Sequence, residues 1–486
     1  MFDLRPIYLV NGVLLCALGA AMLVPALFDV AAGHGDWQVF LTAAGFTIFI
    51  GGGLVIMNRS APGQQRTNLS VPQAFVLTTS VWVVLTAFSA LPLAFCELGL
   101  SYTDAFFEAM SGITTTGATV IVGLDDAPPG ILLWRSILQW LGGIGIIVMA
   151  IAVLPMLQIG GMQLFRLENS DNSDKILPRA AQIASGLTWF YIGFTVLVFV
   201  AYWIAGMTPF DALIHCMTTV ATGGFSSHDA SIGYFANTNI EWVVTIFMIL
   251  GGMPFILFIA AIRGRWRMLY QDDQVRLYLL IIFVMAALMT VWHLLTGSKP
   301  GEHAVRASIF AVATTITGTG YGAEDYSAWG PFASTLVLIL MFVGGCAGSA
   351  ACGIKIFRIK ILFEALKVEL RRVLHPHGVF VARYNGRPVS DDVVSAVGSF
   401  FFLYIATFVG IALALAATGL DLEGALSGAA TSLSNVGPGL GPIIGPSGTF
   451  ATLSDSAKWI LAAAMLLGRL ELVVVMVLFS RRFWRN

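Results

Sequence analysis

Four glycine-containing motifs have the composition of a cation site, because each follows a short apolar stretch and precedes a long one. They are Thr115-Thr116-Gly117, Thr222-Gly223-Gly224, Gly318-Thr319-Gly320 and Asn435-Val436-Gly437. A partly dehydrated cation needs oxygen ligands, and backbone carbonyl groups supply them without a fixed charge that would trap the ion. Glycine reaches the backbone conformations that let successive carbonyls share one direction. The motifs therefore predict a cation-selective pore with fourfold pseudosymmetry.

Two further features of these segments favour a cation. The short stretches, if helical, aim their partially negative C-terminal ends at the membrane centre. Side-chain hydroxyls add oxygen ligands or brace the loops, and those available are Thr114, Thr115, Thr116, Thr222, Thr317 and Thr319. We expect a partly dehydrated cation to bind at the loop carbonyls.

The composition places most of the chain in apolar surroundings. Hydrophobic residues make up 57% of the 486 residues and charged residues 11%, and the mean hydropathy is +0.83. A span needs about 20 apolar helical residues, and ten stretches are long enough: 7–29, 37–57, 72–98, 131–158, 182–207, 239–262, 276–296, 332–351, 393–418 and 457–480. Four shorter stretches cannot cross: 103–114, 210–221, 305–316 and 423–434.

Charge predicts the orientation of these spans. Basic residues near spans stay cytoplasmic, and most Lys and Arg residues fall on one side, including the groups 263–276, 355–387 and 481–485. Both termini are then cytoplasmic, and the four short stretches open from the outside. The outer side carries acids, which raise the local cation concentration. Simple depletion of basic residues from external loops is an alternative explanation.

The short stretches belong to an internal repeat. Asp104 and Asp211 each stand thirteen residues before the glycine of their motif, and a glycine pair or its remnant recurs in each following span. The expected fold is an all-α polytopic membrane protein with four repeats, each a span, a re-entrant short helix and a span, around one central pore. The expected units are residues 1–68 (two N-terminal spans), 69–170, 171–272, 273–385 and 386–486.

Two features below the motifs are typical of a gate. Residues 343–353 include Gly344, Gly345, Gly348, Ser349 and Gly353, and glycine lowers helix stability by about 1 kcal/mol per residue. We expect a flexible intramembrane loop there, with tight helix packing as the alternative. Arg469 lies inside a span, where an ionisable group needs water or a partner. Glu471 or a loop carbonyl would be the structural partner.

The four motifs resemble the filter loops of the Trk/Ktr/HKT potassium transporter superfamily, and the two extra N-terminal spans resemble its bacterial TrkH branch. The resemblance covers residues from about 70 to 486. It implies that Gly117, Gly224, Gly320 and Gly437 carry potassium selectivity, that the third repeat holds a gating loop, and that Arg469 lies below the filter. It also implies a bacterial inner-membrane location, a homodimer, and a cytoplasmic TrkA-type subunit that binds nucleotides and docks on residues 263–276 and 355–387.

Other functions fit the sequence less well. A cation-coupled secondary transporter with broken helices usually has two repeats and intramembrane carboxylates. A membrane-embedded enzyme would need paired Asp/His or Ser/His residues within the spans. The chain has neither a P-loop nor a Rossmann fingerprint, so we expect no bound cofactor and no nucleic-acid partner. The basic side would also suit anionic membrane lipids.

Overall fold

The computed structural model describes residues 3–59, 70–152 and 176–484. Helices dominate this part of the chain, and the strands form one two-residue hairpin, β1 (Arg383–Tyr384) with β2 (Arg387–Pro388). The helices are α1 (Arg5–Ala21), α2 (Leu23–Ala32), α3 (Trp37–Asn58), α4 (Val71–Phe95), α5 (Tyr102–Ile113), α6 (Pro129–Ala152), α7 (Ile176–Ala205), α8 (Pro209–Val220), α9 (Thr238–Gly251), α10 (Phe255–Ile262), α11 (Arg267–Gln271), α12 (Asp273–Thr296), α13 (Gly301–Thr317), α14 (Pro331–Met341), α15 (Ile356–Leu374), α16 (Asp391–Ala417), α17 (Leu422–Ser434), α18 (Gly441–Ile444), α19 (Asp455–Arg469) and α20 (Val473–Met476).

The predicted alternation of long and short helices is confirmed. Within the described residues, seven helices are long and apolar enough to cross a membrane, and two bent helix pairs bring the number to nine. The four short helices are α5, α8, α13 and α17, within four residues of the predicted stretches at each end. Three of them begin at a side-chain cap, since Ser101, Thr208 and Asp421 each accept a hydrogen bond from an amide of the first turn. Such caps satisfy amide groups that a helix start leaves free.

Apolar side chains cover the outer surface of the spans, as in a membrane protein. Large apolar side chains face outward on the spans, with Phe49 76% exposed and Leu295 83% exposed. Threonine and serine side chains are instead buried where the short helices end, among them Thr115, Thr222 and Thr319. Polar groups buried among spans are costly unless they are hydrogen-bonded or line a polar path.

Three predicted spans are broken rather than continuous. The predicted span 239–262 is α9 and α10, bent by 96°, and 457–480 bends by 108° between α19 and the segment that starts at α20. In the first case Gly251 and Gly252 precede Pro254, which removes an amide donor from the helix. The predicted span 332–351 is helical only to Met341.

The two N-terminal spans pack as a hairpin on the first repeat. A Cβ atom on Gly12 would lie 2.8 Å from the Gly51 carbonyl oxygen, and one on Gly51 the same distance from the Gly12 carbonyl. Small residues let membrane helices approach this closely. The buried Asp29 carboxylate accepts a 2.6 Å hydrogen bond from the Gly130 amide. This bond links the hairpin to the start of α6.

The end of the fourth predicted span, 153–158, lies outside the described residues. The same holds for the expected unit boundaries near residues 68 and 170.

Candidate functional site

The four glycine motifs meet in a closed ring. We call them loop 1 (115–117), loop 2 (222–224), loop 3 (318–320) and loop 4 (435–437). A Cβ atom built on the last glycine of each loop would lie less than 3.0 Å from a carbonyl oxygen of the next loop. The pairs, with the glycine first and the residue of the carbonyl second, are Gly117 and Gly223, Gly224 and Thr319, Gly320 and Val436, and Gly437 and Thr116. The order 1-2-3-4-1 closes around one axis. The structure therefore brings together all twelve residues that the sequence singles out.

The four loops share one backbone conformation. The first position is left-handed in each, with φ of 52° at Thr115, 53° at Thr222, 67° at Gly318 and 53° at Asn435. The last position is left-handed as well, with φ between 75° and 111°. The first-position amides bond back to the carbonyl three residues earlier, at 2.9 to 3.4 Å. Each short helix thus ends in a left-handed cap.

Glycines in the second spans support the ends of the short helices. A Cβ atom on Gly142 would lie less than 3.0 Å from the Ile113 carbonyl oxygen, and one on Gly468 equally close to the Leu433 carbonyl oxygen. On Gly251 it would lie 3.5 Å from the Thr219 carbonyl oxygen. These glycines let the spans reach the carbonyl ends of the short helices. Close helix packing therefore accounts for glycine at these positions.

A buried ion pair ties the segments that follow loops 1 and 2 to α5 and α6. Arg135 Nε lies 2.7 Å from Glu108 Oε1, with the side chains 1% and 0% exposed. Glu108 also accepts from the Val120 amide at 2.8 Å, and Arg135 donates to the Ser226 carbonyl at 2.9 Å. This pair was not predicted from the sequence, although a glutamate inside an apolar helix, as at Glu108, indicates a buried partner.

Three other polar side chains brace the loops. Tyr321 lies just after loop 3, and its hydroxyl is 2.5 Å from Thr218 Oγ1 on α8. Asn435 Nδ2 donates to Thr116 Oγ1 and to the Met465 carbonyl, both at 2.9 Å, which joins loop 4 to loop 1. Gln139 on α6 bonds to the backbone of loop 2. None of the three was a sequence candidate through its side chain.

Residues 342–355 form a loop beside the ring. The loop folds on itself, since the Gly344 amide donates to the Ile354 carbonyl at 3.0 Å and the Ile354 amide to the Phe342 carbonyl at 3.1 Å. A Cβ atom on Gly318 would lie 3.9 Å from the Cys352 amide nitrogen, so the loop passes next to loop 3. The candidates Gly344, Gly345, Gly348, Ser349 and Gly353 all lie in it.

Contacts with repeat 2 and with α12 hold this loop. The Cys346 amide donates to the Gly252 carbonyl at 2.9 Å, and the Phe255 amide donates to the Gly348 carbonyl at 3.0 Å. Gln274 Oε1 accepts from the Ala347 amide at 2.8 Å. The loop therefore docks into the bend between α9 and α10. The sequence predicts a flexible segment, whereas here any movement must break these bonds.

Arg469 connects the 342–355 loop to the first repeat. It is 2% exposed, and its guanidinium donates to the Ala350 carbonyl at 3.2 Å and to the Gly142 carbonyl at 2.9 Å. A loop carbonyl is thus a partner, as the structural alternative held. Glu471, the other partner considered, instead accepts a hydrogen bond from Arg358 at 2.5 Å.

Arg469 is not alone among basic residues inside the apolar region. Arg135 and Arg358 are each 1% exposed, and the Lys355 ammonium donates to the Ala351 carbonyl. Arg358, Lys355 and Arg469 stand close to one carboxylate, Glu471. The charge beside the 342–355 loop is therefore positive.

Many acids on the face where the short helices begin, the vestibule face, are paired. Asp104 accepts from Lys458 at 2.5 Å, and Asp125 lies 2.5 Å from His228 Nδ1. Glu324 accepts from Lys299 and His303. Burial would raise the pKa of the Glu324 carboxyl, but these two hydrogen bonds outweigh it and hold the pKa below its ordinary value. Ion pairing thus offsets part of the negative charge expected at the mouth.

Known proteins share this architecture over the whole chain. The family described as TrkH, a cation transport protein, matches residues 38–485. The Trk system potassium uptake protein TrkI of Halomonas elongata is 44% identical over 482 residues, covering 99% of this chain and 97% of that protein. The Trk system potassium uptake protein TrkH of Escherichia coli K12 is 37% identical over 489 residues, 99% of each chain.

A solved structure is similar over the full length of the chain. The crystal structure of the potassium transporter TrkH from Vibrio parahaemolyticus superposes with a TM-score of 0.90 at 36% identity, covering 100% of both chains. Family match, full-length identity and superposition agree, so this multi-pass membrane protein is a member of the TrkH family of cation transport proteins.

Proposed function

We propose that this protein carries potassium into the cell through a pore whose selectivity filter is the ring of loops 1 to 4. The observation that carries the proposal is the cyclic contact of each loop's last glycine with a carbonyl of the next loop. Such a ring offers backbone oxygens from four sides to one ion. Gly117, Gly224, Gly320 and Gly437 supply the close approach. The names of the relatives, which are potassium uptake proteins, support potassium as the cargo.

The 342–355 loop is the proposed gate. It lies next to loop 3 and is pinned by Arg469 and by the bend of repeat 2. The positive charge of Arg469, Lys355 and Arg358 opposes a cation at this level. Opening would require the loop to leave Gly252 and Ala350 to leave Arg469. Gly344, Gly345, Gly348, Ser349 and Gly353 give the loop its alternative backbone conformations.

Regulation and assembly follow the family resemblance. We propose a homodimer in the bacterial inner membrane with both termini cytoplasmic, and a nucleotide-binding cytoplasmic subunit of the TrkA type. Its docking surface would be formed by residues 263–276 and 355–387, where basic side chains such as Arg267 and Arg371 cluster. The proposed units keep the boundaries expected from the sequence: 1–68, 69–170, 171–272, 273–385 and 386–486.

Flux from liposomes tests the proposed cargo. Purified protein is reconstituted with internal potassium, and the uptake of tracer rubidium or sodium is compared with that of protein-free vesicles. We expect rubidium and potassium to exchange well ahead of sodium. Equal sodium and potassium flux would contradict a potassium filter. Flux that requires a second solute would favour the cation-coupled transporter.

A further inference from the structure

Gln139 makes two hydrogen bonds to the backbone of loop 2. Its Nε2 donates to the Gly223 carbonyl at 2.6 Å, and its Oε1 accepts from the Phe225 amide at 3.1 Å. The side chain is fully buried on α6. The amide thus holds the two backbone groups on either side of Gly224. Both bonds fit only one orientation of the amide.

The other repeats have no amide at this position. Gln139 stands three residues before Gly142, and the matching residues before Gly251, Gly344 and Gly468 are Met248, Met341 and Met465. All three methionines are fully buried. From the cyclic order of the repeats, we expect each to face the middle residue of the following loop.

Packing and hydrogen bonding support this matching in repeats 3 and 4. Met341 and Val436 belong to the same buried cluster. The Met465 carbonyl and Thr116 Oγ1 share one donor, Asn435 Nδ2, at 2.9 Å each. In repeats 3 and 4 a methionine therefore lies near a middle residue that has a side chain, whereas Gln139 lies against Gly223, which has none.

Gly223 lacks a side chain because of Gln139. It is not among the left-handed glycines of the loops, which are Gly117, Gly224, Gly318, Gly320 and Gly437. A Cβ atom there would lie less than 3.0 Å from Gln139 Cδ, Oε1 and Nε2. Its matching residues are Thr116, Thr319 and Val436. The Gln139–Gly223 pair thus stands where the other repeats have a methionine and a loop residue with a side chain.

One carbonyl of the ring consequently differs from its three counterparts. The carbonyls of Thr116, Gly223, Thr319 and Val436 each lie against the last glycine of the preceding loop. Among the described residues, only that of Gly223 accepts a side-chain hydrogen bond. A donor at 2.6 Å fixes the direction of the C=O bond and draws on its electron density.

Given the filter proposed above, we propose that Gln139 is a positioning residue that sets the preference for potassium over sodium. Sodium is the smaller ion, and it needs the ring oxygens to move closer together. The Gly223 carbonyl, tethered to a buried amide, resists that movement. Loop 2 is then the rigid corner of an otherwise adaptable ring.

The substitution Gln139→Met tests this role, because it installs the residue found in the other three repeats. We expect potassium flux to persist and the potassium-to-sodium ratio to fall about tenfold, the effect of losing one or two buried hydrogen bonds. Met248→Leu is the matched control, since Met248 occupies the same place in repeat 2. It should leave the ratio unchanged.

A second pair of variants distinguishes a role of Gln139 in positioning loop 2 from a general effect on folding. Gly223→Thr should abolish transport, because its Cβ collides with Gln139. Gln139→Met/Gly223→Thr should transport again, because it reproduces the Met248 and Thr319 combination, but with the lowered ion ratio. If Gln139→Met alone fails to fold, the ion ratio of this double variant decides the question.

An unchanged ion ratio in Gln139→Met, or in the double variant, would overturn the role of Gln139. Equal damage from Gly223→Thr with and without Gln139→Met would overturn the pairing. Gly117→Ser distinguishes these failures from failure of the filter. If Gly117→Ser alters selectivity while Gln139→Met does not, the filter stands and only the role of Gln139 falls.

Discussion

The residues at the two left-handed positions of each loop are under different constraints. At the first position threonine, glycine and asparagine all occur, with φ from 52° to 67°. At the last position every residue is glycine, and a Cβ atom would meet a neighbouring carbonyl at less than 3.0 Å. Backbone strain alone is thus tolerated, whereas strain combined with a steric clash is not.

Loop 2 offers a direct comparison of the two positions. We expect Thr222→Gly to retain most transport, because glycine adopts the same left-handed conformation more readily. Gly224→Ala should abolish transport, because its methyl group would collide with the Thr319 carbonyl. Rubidium uptake by liposomes measures both. Transport retained in Gly224→Ala but lost in Thr222→Gly would show that the hydroxyl of Thr222, not the glycine contact, is the essential feature.

Arg469 is expected to hold the proposed gate closed. In Arg469→Gln the bond to the Ala350 carbonyl and the local positive charge are weakened together. We predict that potassium flux measured without any regulatory subunit rises several-fold. Arg306→Gln, on the vestibule face beside Glu241, serves as the control and should not change basal flux. A fall in flux in Arg469→Gln would contradict a closing role.

At the scale of elements, the short helices were predictable and the bends were not. Each short helix is visible in the sequence as an apolar stretch of about a dozen residues before a glycine motif, and three of the four follow a capping residue. The bends depend on context. Gly142 and Gly143 leave α6 straight, while Gly251 and Gly252 end α9 because Pro254 follows.

The candidate site likewise contains residues that the sequence predicts and residues that it does not. The glycines of the ring could be identified from a fourfold repeat, since each copy supports the others. Gln139 and Arg135 could not, because they occur in one repeat and bond to backbone groups 84 and 91 residues away. Glu108 was visible inside an apolar helix, but its partners were not. Their partners become visible only when the repeats close into a ring.

The Glu108–Arg135 pair is expected to stabilise the junction of α5 and α6. Removing one partner of a buried ion pair leaves an uncompensated charge and costs about 3–5 kcal/mol. We predict that Glu108→Gln and Arg135→Met each lower the melting temperature in detergent, and that Glu108→Gln/Arg135→Met lowers it less than the sum of the two. Additive effects would show that the two side chains act independently.

Glu324 gives the vestibule face a pH-dependent contribution to stability. Its folded pKa is lowered by Lys299 and His303, although burial acts against this. The contribution is therefore complete above the unfolded value of about 4.3 and is lost as the pH falls through the folded pKa. We predict that Glu324→Gln melts below wild type at pH 6, and that the difference shrinks below about pH 4. A difference independent of pH would exclude this ionisation as its cause.

At the scale of the whole molecule, repeats are joined around the ring on the vestibule face. Lys458 of repeat 4 reaches Asp104 of repeat 1, and Arg306 of repeat 3 reaches Glu241 of repeat 2. Below the ring, Arg469 and the 342–355 loop connect repeats 1, 3 and 4. The ring therefore lies between an ion-paired vestibule face and a positively charged segment, and an ion that follows the proposed pathway passes both.

The central claim is that four glycine loops form one potassium filter, and Gly117→Ser tests it most directly. The serine side chain would meet the Gly223 carbonyl at a residue whose φ is 89°. The measurement is the potassium-to-sodium flux ratio of reconstituted wild type and Gly117→Ser, with Thr222→Gly as control. We predict a lower ratio in Gly117→Ser and no change in the control. Potassium flux with an unaltered ratio in Gly117→Ser would contradict the filter.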